Sequence, residues 1–82
     1  MTRTARARHP GDIVRTDVVL AHYRHVTEFA AAMKIARPHV SRVLNGQVGI
    51  SARFARDLER LGHGTARDWM LLQIDYDLKE KR

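Results

Sequence analysis

The chain reads as all-α: one five-helix domain with a helix-turn-helix in helices two and three. Three observations predict this. Apolar residues recur at i, i+3 and i+4 along most of the chain, and no stretch alternates with the period of a strand. Residues 26–46, VTEFAAAMKIARPHVSRVLNG, hold two such segments in succession, joined by a break of about three or four residues. Phe29, Ala30 and Met33 mark the first, Ile35 follows, and Val40, Val43 and Leu44 mark the second. The length of 82 residues suits one small domain with a modest core.

The elements follow in order. Residues 1–8 form a basic, uncapped arm with Arg3, Arg6 and Arg8, expected either to lie in solvent or to track phosphates. His9-Pro10-Gly11 ends the arm and opens a first helix over about residues 12–21. Asp12 in its first turn suits the positive end of the helix dipole. Ile13, Val14, Val18 and Ala21 form its inward stripe, widened by Val19 and Leu20. Helix two runs from 26 or 27 to 34. The small Ala30 faces the partner helix and lets the two approach closely. Helix three covers about residues 38–44, with Pro38 at its first position, where a missing N–H costs nothing. Proline also pushes Arg37 away from helical dihedrals. Asn45-Gly46 supplies a C-terminal cap. Ser51 caps a fourth helix that ends near Leu61 and turns Phe54 or Ala55, Leu58 and Leu61 inward. Thr65-Ala66-Arg67-Asp68 is a short-acid capping box that opens the fifth helix, residues 65–79. The domain therefore occupies residues 9–80.

Composition narrows the partners. Fifteen Lys and Arg against nine Asp and Glu give a net charge of +6, which favours a polyanion. The absence of cysteine removes disulfides and thiolate metal sites and fits a reducing cytoplasm. No apolar run nears the roughly 20 residues of a bilayer span, and no apolar segment follows the basic start, so neither membrane anchor nor secretory leader is expected.

Helix three carries the chemistry. Its outward residues are Arg37, His39, Ser41 and Arg42, a set that suits a groove lined with phosphates and base-edge acceptors. Arg42 and Arg37 can reach guanine O6 and N7, or hold phosphates instead; His39 is a further near-base candidate. Ser41 and Asn45 can donate to phosphates, and Gln47 lies in the following loop where a backbone contact fits. Pro38 shapes the helix start and can touch only a thymine methyl. The five histidines do not form a metal site: His22 and His25 have no carboxylate or Cys at ligand spacing. Nor is there a Gly-rich phosphate loop, an HExxH or a Ser/His/Asp order, so neither an enzyme nor a cofactor is expected. The fifth helix is apolar on more than one side. Trp69, Leu72 and Tyr76 can face the core, which leaves Met70, Leu71, Ile74 and Leu78 as a self-association surface.

The helix-turn-helix spacing resembles that of the Cro/repressor (XRE-like) class. The chain as a whole resembles the HigA antitoxin family over about residues 9–78. His9-Pro10-Gly11-Asp12-Ile13, Val43-Leu44-Asn45-Gly46, Gly49-Ile50-Ser51, and Trp69 through Gln73 to Asp75-Tyr76-Asp77-Leu78 carry that resemblance. Where the family usually has a small cap followed by Gln before helix two, this chain has His25 and Val26. Where the turn usually has Gly, it has Lys34, which must then adopt a left-handed conformation. The resemblance implies a cytoplasmic antitoxin of a type II toxin-antitoxin system. Such a protein acts as a homodimer on an inverted-repeat operator in double-stranded DNA, as an autorepressor, and binds a RelE-like ribonuclease toxin. Two other expectations fit the same residues: a toxin-binding module whose helix-turn-helix is only scaffold, and a phage-type repressor with no toxin.

Overall fold

The computed structural model describes residues 8–80, and among these every regular element is a helix, with no strand. The first helix, α1, begins as Pro10–Val14, opens into a π-helical stretch at Arg15–Val19 and closes with Leu20–His22. It is followed by α2 (Val26–Met33), α3 (Arg37–Leu44), α4 (Ala52–Arg60) and α5 (Ala66–Glu80). Of the expected arm, residues 1–7 lie outside the described residues.

α1 starts two residues before the expected position because His9 is its cap. His9 has an extended backbone, and its Nδ1 accepts the Gly11 N–H at 2.9 Å. Further along, the Leu20 N–H donates to the Arg15 carbonyl five residues back, the bond that defines a π turn. Thr16 Oγ1 donates toward the carbonyls of Asp12 and Ile13 at 3.3 Å each and competes with the ordinary ladder there. The π turn shifts the helix phase by about one residue. Val14, Val18 and Val19 are buried as a result, while Ala21 is exposed and Leu20 is 70% exposed. The expected inward place of Ala21 is thus corrected to Val19.

The core is built from all five helices. Phe29 and Met33 of α2 meet Val40 and Val43 of α3, Phe54 and Leu58 of α4, and Trp69 of α5. The Phe29 and Phe54 rings lie edge to face, with centroids 6.4 Å apart. Gly11 lies directly on the Val43 carbonyl, so closely that any Cβ there would overlap it. That contact seats the start of α1 against the end of α3.

α4 and α5 begin at their expected caps. Ser51 Oγ accepts the Phe54 N–H at 3.1 Å, and Thr65 Oγ1 accepts the Asp68 N–H at 3.1 Å. The Ala66 N–H is taken by Glu59 Oε1 at 2.7 Å, so an acid of the preceding helix supports the same terminus. The inward stripe of α5 is not the expected one. Trp69 is buried and Tyr76 half-buried, but Leu72 is exposed and Gln73 takes the inward place. Among the described residues no helix is long and apolar enough to cross a membrane.

Candidate nucleic-acid interface

The helix-turn-helix is α2, a tight turn, and α3. α2 has an unusual cap: His25 Nδ1 accepts the Glu28 N–H at 3.4 Å, while Glu28 Oε1 accepts the Arg24 N–H at 2.8 Å. An imidazole therefore fills the place of a small capping residue, and the Glu at the third helical position reaches back past it. At the other end Lys34 has φ 59 and ψ 41. Its N–H donates to the Ala31 carbonyl and that of Ile35 to the Ala30 carbonyl, both at 3.1 Å. This is a Schellman closure with a lysine where glycine is preferred.

Ala36, with ψ 136, breaks the chain direction and serves as N-cap of α3. Arg37 is consequently inside the helix and Pro38 lies one place later than expected. The pre-proline bias against helical dihedrals is overcome at Arg37, and the extended residue is Ala36. At about 100° per residue, Val40, Val43 and Leu44 fall together on one side of α3. All three are buried. Pro38, Ser41, Arg42 and Asn45 fall on the opposite side, with Arg37 at one margin and His39 at the other. All of these are exposed except Ser41, which is half-buried. Gln47 is exposed in the loop after Gly46, whose φ of 77 closes the helix. The seven candidate residues thus share one end of the molecule. Of the exposed residues Arg37 lies nearest the buried side of the helix, while Pro38, Arg42 and Asn45 lie farthest from it.

Four of the described arginines are paired with acids, and Arg37 and Arg42 are among those that are not. On α4, Arg53 and Arg60 both approach Asp57, at 3.8 and 3.7 Å. Near α1, Arg8 and Arg15 approach Asp12 at 2.9 and 3.4 Å. The Arg8 hydrogen bond, aided by the two nearby charges, holds the Asp12 carboxyl below its ordinary range. α3 contains no acid, and the side chains of Arg37 and Arg42 have no ion pair among the described residues.

The α5 surface is more ordered than composition suggests. Leu71 (45% exposed), Ile74 (49%) and Leu78 (74%) fall within one narrow stripe. Met70 lies at its edge, half-buried against the core. Of the four residues expected to form a self-association surface, three are exposed side by side and Met70 borders them.

A second polar cluster was not apparent in the sequence. Tyr23 Oη and His63 Nε2 are 2.8 Å apart, and the His22 ring lies 5.2 Å from that of His63. Burial, then the proximity of His22, pushes the His63 pKa down, which suits a neutral imidazole accepting from the phenol. The partners are 40 residues apart, and nothing local in the sequence relates them. Among the described residues no group of three His, Cys, Asp or Glu could hold a metal ion.

A short exposed helix with uncommitted arginines, crossing a capped scaffold helix, defines a helix-turn-helix protein of the Cro/repressor class. Comparison with known proteins sharpens this. No family model matches the chain. The fold is similar to Pseudomonas aeruginosa antitoxin HigA with the higBA promoter, at TM-score 0.83 and 36% identity, covering 89% of this chain and 79% of that one. It is also similar to an addiction module antidote protein of the HigA family from Coxiella burnetii, at TM-score 0.83 and 29% identity, covering 92% and 82%. Virulence-associated protein A' of Dichelobacter nodosus is 33% identical over 73 residues, 88% of this chain. This chain spans 63% of that relative's length, somewhat under two thirds. The chain belongs to the HigA antitoxin family.

Proposed function

We propose that this protein is a cytoplasmic antitoxin that represses its own operon by binding operator DNA as a homodimer, and that it neutralises a small RelE-like ribonuclease toxin. The observation that carries the DNA reading is the outward face of α3, where Pro38, Ser41, Arg42 and Asn45 lie together opposite a buried apolar side. Arg42, near the centre of that face, has the reach and fork geometry for guanine O6 and N7. Arg37, Asn45 and Gln47 flank it and suit phosphates on either side of the groove. The Val26 and Thr27 N–H groups, which the His25 cap leaves open at the start of α2, suit another phosphate.

The exposed stripe of Leu71, Ile74 and Leu78 supports a two-fold dimer, since one self-complementary patch is buried on both subunits. Such a dimer presents two copies of α3 about 34 Å apart, one turn of DNA, and calls for an inverted repeat. The toxin rests on family membership alone. The structural neighbour from Pseudomonas aeruginosa is described with the higBA promoter, which supports the operator reading by analogy.

The test is binding of the wild-type protein to duplexes from upstream of its own gene. Affinity for one inverted repeat should exceed that for random duplex and fall steeply with salt as counterions are released. Equal affinity for all duplexes would refute the repressor reading and leave a scaffold-only helix-turn-helix. Co-expression with the product of the neighbouring reading frame tests the toxin separately. Restored growth and co-purification are expected; failure of both refutes neutralisation.

A further inference from the structure

Gln73 is 7% exposed and is the single buried polar side chain among the described residues. Both ends of its amide are used. Its Oε1 accepts the Ile50 N–H at 2.8 Å, and its Nε2 donates to Asp77 Oδ1 at 3.0 Å. Ile50 closes the loop that leaves α3, so a residue of α5 grips that loop across 23 positions of sequence. Gly49 makes the grip possible: a Cβ there would lie 3.1–3.3 Å from the amide atoms of Gln73.

A second contact holds the other end of the same loop. One turn beyond Gln73, the Tyr76 ring meets the His9 ring edge to face at 4.8 Å. The His9 ring in turn packs over Gly46, 3.5 Å from where a Cβ would stand. The loop is thus held at Gly46 through His9 and Tyr76, and at Ile50 through Gln73. α3 packs on α2 and α1 rather than on α5, so these two holds join it to the last helix beside their shared neighbour α1 and the common core.

The apolar stripe of Leu71, Ile74 and Leu78 lies about 130° around α5 from Gln73, counting about 100° per residue. One helix therefore offers its outer side to a partner and its inner side to the loop behind α3. We infer that Gln73 is a positioning residue for operator recognition: its bond to Ile50 fixes the angle between the dimerisation helix and α3, and so fixes the half-site spacing that the dimer accepts. This rests on the dimeric repressor reading above. A buried amide suits the role because its hydrogen bonds are directional, whereas an apolar contact at that place would let the loop slide.

The experiment uses the full chain and a duplex that the wild-type protein selects from a random pool. It measures affinity for the selected inverted repeat, for the same repeat with a single base pair inserted or removed between the halves, and for one half-site alone. Gln73→Met keeps volume and removes both bonds. Gly49→Ala presses on the same contact from the loop side. For each, half-site affinity and dimer mass should stay at the wild-type level. Full-site affinity should fall about tenfold, because the two copies of α3 are no longer held at one spacing and must be ordered on binding. The penalty for altered spacing should largely vanish. The double variant Gln73→Glu with Asp77→Asn keeps an acceptor for Ile50 and reverses the donor in the second bond, so it should restore the spacing penalty. A folded Gln73→Met or Gly49→Ala with wild-type spacing discrimination overturns the inference. So does an equal loss on half-site and full site, because that marks a stability effect only. If Gln73→Met does not fold, Gly49→Ala and the double variant decide. A wild type that selects no inverted repeat refutes the underlying dimeric repressor reading instead.

Discussion

Lys34→Gly should stabilise the protein. Lys34 closes α2 at φ 59 and ψ 41, and it is the single described non-glycine residue with positive φ. Its side chain is exposed and has no partner among the described residues, so removing it breaks no contact. The two bonds that close the helix, from Lys34 and Ile35 to Ala31 and Ala30, use backbone groups that glycine also has. For an L-residue the left-handed region costs about 1–2 kcal/mol. Glycine loses about 0.5–1 kcal/mol more backbone entropy on folding. The difference leaves a gain of about 0.5–1 kcal/mol, or about 2–8 °C in Tm for a domain of this size. Thermal unfolding followed by circular dichroism, at one protein concentration because a dimer's Tm depends on it, reads the change. An unchanged or lower Tm would refute the claim that this turn is strained.

Two further predictions follow from other parts of the molecule. Ile74→Asp places a charge in the exposed apolar stripe of α5 and should convert the dimer to monomer with the helical content intact; sedimentation of wild type and variant at tens of micromolar checks it, and an unaffected variant dimer rules the stripe out. His63 has a folded-state pKa below its ordinary 6.5 because burial and His22 disfavour its charged form. The unfolded chain then binds more protons between the two values, so stability is complete above about pH 6.5 and declines as pH falls through that window. Tm measured from neutral to mildly acidic pH should fall for wild type and fall less for His63→Gln; parallel curves would contradict the assignment.

Most of the helix-turn-helix was legible because its signals are local. Phe29, Ala30, Met33, Val40, Val43 and Leu44 have helical spacing, and Ser51 and Thr65 are side-chain caps; the left-handed Lys34 came from the resemblance, since the family usually has Gly at that turn. α1 and α5 were less legible because their faces are set by tertiary geometry. The π turn at Arg15–Val19 displaces Ala21 from the core, and apolar periodicity has no term for a one-residue phase shift. On α5 the inward place went to Leu72 by hydrophobicity alone. The fold gives it to Gln73, since the Ile50 N–H needs an acceptor there, and Leu72 is left exposed. Similarly, the seat of Gly11 on the Val43 carbonyl and the Tyr23–His63 pair join residues far apart in sequence.

Reading of bases by α3 is tested most directly through Arg42→Ala, with affinities measured on the selected operator and on random duplex at the same salt. Arg42 is exposed, carries no ion pair among the described residues, and lies near the centre of the face opposite Val40, Val43 and Leu44. A bidentate contact to guanine makes the expected loss about 1–3 kcal/mol on the operator and much less on random DNA. Equal losses on both duplexes would show that Arg42 holds the backbone and that α3 does not read sequence through it.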